Sequence, residues 1–232
     1  MTGVQTCALP IFAAPTPAST GDLLVAAITV TGGSGVTINP AAGWQRIGTD
    51  VVSGTALKQG LFWRSVTSGD LSLASTWSVS AAQRMTGVVT VVAGGALAAP
   101  LAIGQANASS TVIATPALSL GSSRTGVALI FGGSAIGTTV GAVGAGYTRA
   151  ASASATSGKA SSQTTSVGAY AASATTSSVA AASITLGAAA VNIGHTVFVS
   201  QATPSTATRL SSAAASIVYG QTLARSEEHT SE

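Results

Sequence analysis

The sequence predicts an all-β protein, a jelly-roll-like antiparallel β-sandwich forming a single domain with an internal pseudo-repeat. Three observations carry this. Short runs rich in β-branched residues recur between turns of Gly, Ser and Thr. Apolar residues make up 46% of the chain, charged residues 6%, and mean hydropathy is +0.51, a composition that suits a packed core and not a disordered tract. Finally, the two halves of the chain repeat one order of motifs.

Taken in order, Leu23 to Val30 is an apolar, β-branched run bounded by Thr20-Gly-Asp22 and Thr31-Gly-Gly33, and both its length and its flanks favour a strand over a helix. Leu57 to Val66 places Leu57, Gln59, Leu61 and Trp63 on one face and Lys58, Gly60, Phe62 and Arg64 on the other. Thr76 to Val79 alternates again, and Thr86 to Val92 is a further β-branched run ended by Gly94-Gly95. The stretch Met85 to Ser123 carries no charge, yet its glycines and Pro100 leave too few large aliphatic residues for a membrane helix; a buried strand followed by a loop is expected. Between Ala150 and Ala190, Ser, Thr and Gly interrupt the alanines, and Val167-Gly-Ala-Tyr170 and Ser183-Ile-Thr-Leu186 have period two, so strands are expected here also.

The internal echo organises these elements. Leu23 to Val30, Ala42-Gly-Trp-Gln-Arg46 and Val88 to Val92 are followed, in the same order, by Val127 to Phe131, Ala145-Gly-Tyr-Thr-Arg149 and Thr196 to Val199. The shared Ala-Gly-aromatic-x-Arg element reads as a turn entering a strand, with Gly supplying φ freedom and the aromatic plugging the edge of the core. Two small tandem sandwiches, or one sandwich with interleaved halves, would both generate the echo. The apolar connection from Ala93 to Gly104 favours the second, because it suits a buried crossover.

The ends read differently. Arg225 to Glu232, back-translated as AGA TCG GAA GAG CAC ACG TCT GAA, has a reverse complement that in a shifted frame spells Gln5 to Ile11. Residues 1–11 and 225–232 are therefore expected to derive from a sequencing adapter and to lie outside the fold. Residues 12–201 are expected to form the sandwich, and 202–224 the start of a following repeat. The only cysteine, Cys7, all three glutamates and His229 fall in the excluded ends. The signal-like run from Cys7 to Ala14 loses its meaning with them.

Between Phe12 and Ala224, eight basic and three acidic side chains give a net charge of +5, scattered singly. Nucleic acid is not an expected partner, since neutralising adjacent phosphates requires clustered Lys and Arg. No catalytic constellation, cofactor site or metal site is expected. His195 is the sole histidine of this interior, without a Gly-x-Ser-x-Gly elbow, and is expected at a strand edge. Asp22, Asp50 and Asp70 are isolated turn residues, where calcium would need six or more oxygens. Trp63 and Trp77 share the parity of Leu61 and Val79, which points them and Trp44 to the core and away from sugar stacking. Asn107-Ala-Ser109 fits a glycosylation sequon.

Gly21-Asp-Leu-Leu-Val-Ala-Ala-Ile28, Pro40-Ala-Ala-Gly-Trp44, Gly60-Leu-Phe-Trp-Arg64 and Thr76-Trp-Ser-Val79 together resemble a β-sandwich module of large bacterial secreted proteins and some phage structural proteins, over about Phe12 to Gln201. Ala202 to Ser212 followed by Ser216-Ile-Val-Tyr-Gly-Gln-Thr-Leu223 is similar to the opening of bacterial immunoglobulin-like repeats. These resemblances imply a non-enzymatic structural or adhesive module of a modular extracellular bacterial protein, with a surface glycan or neighbouring modules as partners. A phage virion module, in a tail fibre or as decoration, and the carbohydrate-binding module of a secreted hydrolase are the alternatives. The segment after Gln201 holds too few strands to bury its own apolar face and is expected to be poorly ordered.

Overall fold

A computed structural model describes residues 11–12, 18–69, 75–93, 98–155, 163–172, 174–201 and 210–217. The first half contains β1 (Ile11–Phe12), β2 (Leu23–Thr31), β3 (Ile38–Asn39), β4 (Gln45–Arg46), β5 (Val51–Ser53), β6 (Leu57–Ser65), β7 (Ser75–Thr76), β8 (Ser78–Val79) and β9 (Met85–Val92). The second contains β10 (Leu101–Thr115), β11 (Leu118–Ser134), β12 (Val140–Val143), β13 (Tyr147–Ala155), β14 (Thr164–Ala171), β15 (Ala174–Val179), β16 (Ala182–Ser200) and β17 (Leu210–Ile217). All strand pairs are antiparallel. The expected all-β sandwich is the architecture observed.

Two large sheets form it. The first has the order β17-β9-β2-β6-β4, with β5 also on β6; the second has β10-β16-β11-β14-β13, with β12 on β16 and β15 on β11. The echo in the sequence is this correspondence. β2 and β11 occupy matching central positions, between β9 and β6 in one sheet and between β16 and β14 in the other, and β4 and β13 stand outside β6 and β14. The exchange at the remaining edge is reciprocal. β10 follows β9 in sequence but pairs with β16, and β17 follows β16 but pairs with β9, so the halves interleave.

The Ala-Gly-aromatic-x-Arg element is one device used twice. Gly43 and Gly146 sit at φ 79° and 82°, in the left-handed region that only glycine enters freely. Each turn closes with the aromatic amide donating to a carbonyl three residues back, Trp44 to Ala41 at 3.1 Å and Tyr147 to Gly144 at 3.0 Å. Each arginine then reaches back to an earlier carbonyl: Arg46 Nη2 donates to Ile38 O at 2.8 Å, and Arg149 Nη1 donates to Val140 O. Arg46 also lies over the Phe62 ring, 4.8 Å from its centre, and pairs with Asp50.

Between the sheets, Leu23, Val25, Ala27, Leu61, Val88 and Val92 meet Val127, Leu129, Phe131, Val197 and Val199 in one cluster. The first sheet is covered on its other face too, where Leu24, Ile28, Phe62, Val89 and Val91 pack beneath Val36, Ile38, Trp44 and Trp77. This double burial explains why β2 and β9 do not alternate between apolar and exposed polar residues: every residue of both is buried.

The outer face of the second sheet is covered by its own strands turned back upon it. β10 and β16 stay paired from Leu101↔Phe198 to Thr115↔Ala182, through register shifts at Asn107, Ser110 and Val112. Gln105 and Ala114 would stand roughly 30 Å apart on a straight strand, yet the Gln105 amide donates to Ala114 O at 3.3 Å. Asn107 donates to the same carbonyl at 3.0 Å and to Asn192 Oδ1 at 2.8 Å, while the fully buried Asn192 amide faces the carbonyls of Ser110, Val112 and Ala190 at 3.0 to 3.4 Å. Beneath this fold-back Ile113 and Ile184 close over Ile130 and Val167. Substituting Asn192→Ala removes the acceptor of Asn107 and the donor facing the buried Ala190 carbonyl, and should lower unfolding stability by about 1–3 kcal/mol, measured by urea denaturation.

Three expectations differ from the structure. Thr76 to Val79 is split into β7 and β8, because Trp77 leaves the strand path to seat its fully buried ring 4.8 Å from Trp44. The loop expected after β9 is instead the long strand β10, whose charge-free sequence is held by β16, a partner remote in the chain. The segment after Gln201 does find a partner, since Leu210–Ile217 pairs with β9 along eight residues. Of residues 1–11, only Ile11 is among those described; with Phe12 it pairs with Ser75 and Thr76, outside both large sheets. Residues 1–10, 202–209 and 218–232 lie outside the described residues.

Candidate functional site

The sandwich interior is apolar at one end and polar at the other. His195 is 3% exposed, and Thr29, Gln59, Thr86 and Ser166 are each 0% exposed. Far from lying at a strand edge, His195 is on β16 between Gly104 of β10 and Phe131 of β11. Five polar side chains from five strands satisfy one another across the sheets.

Their hydrogen bonds form a directed chain. Ser166 Oγ donates to Thr29 Oγ1 at 2.7 Å, which leaves Thr86 Oγ1 as the donor to Ser166 at 2.8 Å. Gln59 Nε2 donates to the same Thr29 oxygen at 2.8 Å. The amide oxygen of Gln59 therefore faces His195, 2.9 Å from Nδ1. An amide oxygen can only accept, so the proton of the neutral imidazole is on Nδ1 and the Nε2 lone pair is left open. Burial, which disfavours the imidazolium, lowers the His195 pKa from 6.5 to about 4.

On its other side the ring borders a cavity of about 250 Å³. Ile47, Val51, Ala102 and Ile103 supply its apolar lining, Thr49 and His195 its polar side chains, and Gly48 and Gly104 bare backbone. Gly104 gives the ring access to this space, for a Cβ at that position would overlap the imidazole edge bearing Nε2. Sequence reasoning noted His195 but missed Gln59 and Gly104; the only available signal was Gln59 in register with Leu61 and Trp63, a polar residue on an apolar face.

The other candidate residues are structural. Asp22 accepts from the Ser19 amide at 2.8 Å, closing the turn into β2, and Asp50 pairs with Arg46. Asp70 lies outside the described residues, among which no group of three His, Cys, Asp or Glu side chains could hold a metal ion. Trp44 is 6% exposed and donates from Nε1 to Ser75 Oγ at 2.9 Å; Trp77 is fully buried against it and Phe62. Trp63 is half-buried and packs with Leu61 between the sheets, on the opposite face of the first sheet from Trp77. The Asn107 amide is spent inside the fold-back, which opposes its modification in the folded chain. Among the described residues, no helix is long and apolar enough to cross a membrane. No family model matches the chain, and no curated protein or solved structure matches it.

Proposed function

We propose that this chain is a non-enzymatic structural module of a modular extracellular bacterial protein, acting as a stiff, low-charge spacer between neighbouring modules. The observation that carries the reading is the reciprocal strand exchange of β10 and β17. A strand leaving one half is hydrogen-bonded along its length into the sheet of the other, so a pull on either half loads ladders in both. The two faces of the first sheet are sealed, and its aromatic residues serve that seal: Trp44 and Trp77 are inside, where no sugar ring can stack on them. Adhesion, if the module adds it, belongs to the loops at the ends of the sandwich.

The genomic surroundings of the coding sequence test this. Immunoglobulin-like repeats and a surface anchor in the same reading frame are the expected finding. Capsid or tail genes alongside would overturn it in favour of a virion component, and a hydrolase in the same frame would favour a sugar-binding module.

A further inference from the structure

We propose that the His195 cavity is a binding site for a small neutral molecule, apolar apart from one hydrogen-bond donor, of which a phenol is the simplest example. The polar chain from Thr86 to Gln59 consumes the Nδ1 proton and holds the imidazole plane, so the ring offers the cavity one fixed acceptor, Nε2. Among the described residues nothing donates to that atom, although His195 is almost wholly buried. Nε2 is not sealed inside the protein but opens onto the cavity, where a guest's donor can complete it in place of water.

The surroundings select the ligand class. Ile47, Val51 and Ile103 present hydrocarbon and no charge, which disfavours a cation or an anion. A metal ion would find a single nitrogen and no second His, Cys, Asp or Glu ligand among the described residues. A cavity of about 250 Å³ limits the guest to a single ring or a short chain. Gly104 keeps the path to Nε2 clear, and Ile103, 42% exposed, stands at the rim.

Nitrogen-15 NMR of histidine-labelled protein tests the proposal, with His229→Ala leaving His195 as the sole histidine. At neutral pH the His195 spectrum should show Nε2 unprotonated. Phenol should shift that resonance saturably, and toluene, equal in shape but lacking the donor, should bind about tenfold more weakly, the value of one hydrogen bond. Ile103→Trp should block the mouth and abolish the phenol shift while leaving the tautomer unchanged. A proton found on Nε2, meaning a reversed Gln59 amide, would overturn the proposal. So would toluene binding as tightly as phenol, or phenol binding undiminished in folded Ile103→Trp protein. Should that variant not fold, the tautomer and the phenol–toluene comparison still decide the matter.

Discussion

A chain ended at Gln201 associates with itself. Met85–Val92 is buried along its whole length and hydrogen-bonds β2 on one side and Leu210–Ile217 on the other. Removing β17 bares a row of eight residues' backbone donors and acceptors beside an apolar surface, which is a template for another strand. Light scattering should show the full chain monomeric at micromolar concentration and the shortened chain forming dimers or larger species that grow with concentration. A peptide covering Leu210 to Ile217, added in excess, should return the shortened chain to monomers by occupying the same edge. A shortened chain that stays monomeric with unchanged thermal stability would show that β17 contributes nothing to closing the first sheet.

Acid weakens the fold through His195. Its folded pKa, about 4, lies below the ordinary 6.5, so between these values the unfolded chain takes up a proton that the folded chain refuses. Stability is therefore complete above about pH 6.5 and falls as pH drops toward 4. The loss amounts to about 2 kcal/mol at pH 5 and approaches about 3 kcal/mol at the lower end of the window. His195→Gln keeps a side-chain donor for Gln59 without a titrating group, and its urea midpoint should change little between pH 7 and pH 5. If the variant loses as much stability as the parent over that interval, the acid sensitivity originates elsewhere.

Much of the architecture was legible because it is written locally. β2, β6 and β9 announce themselves as β-branched runs between glycine turns, and the absence of alternation in β2 and β9 marks burial on both faces. The Ala-Gly-aromatic-x-Arg echo was legible for a related reason: a turn that needs positive φ demands glycine at one position, and that demand survives in both halves. β10 was not legible. Its Gly, Ala, Ser, Thr and Asn residues have no strong preference of their own, and it becomes a strand because β16 offers it a ladder. The candidate site was hidden for the same reason, since Thr29, Gln59, Thr86, Ser166 and His195 are scattered along the chain and carry no shared motif.

By itself the sequence determined the class of fold, the main strands of each half and the correspondence between the halves, all of which follow from side-chain periodicity and turn chemistry acting over a few residues. Only the tertiary structure decided which strand closes which sheet, that the β10–β16 ribbon turns back over its own sheet, and that one histidine faces a cavity with a free nitrogen. Those outcomes depend on hydrogen bonds between residues far apart in the chain, such as Gln59 with His195 and Thr29 with Ser166. No local preference encodes such a bond, because each partner is satisfied only once the two sheets have met.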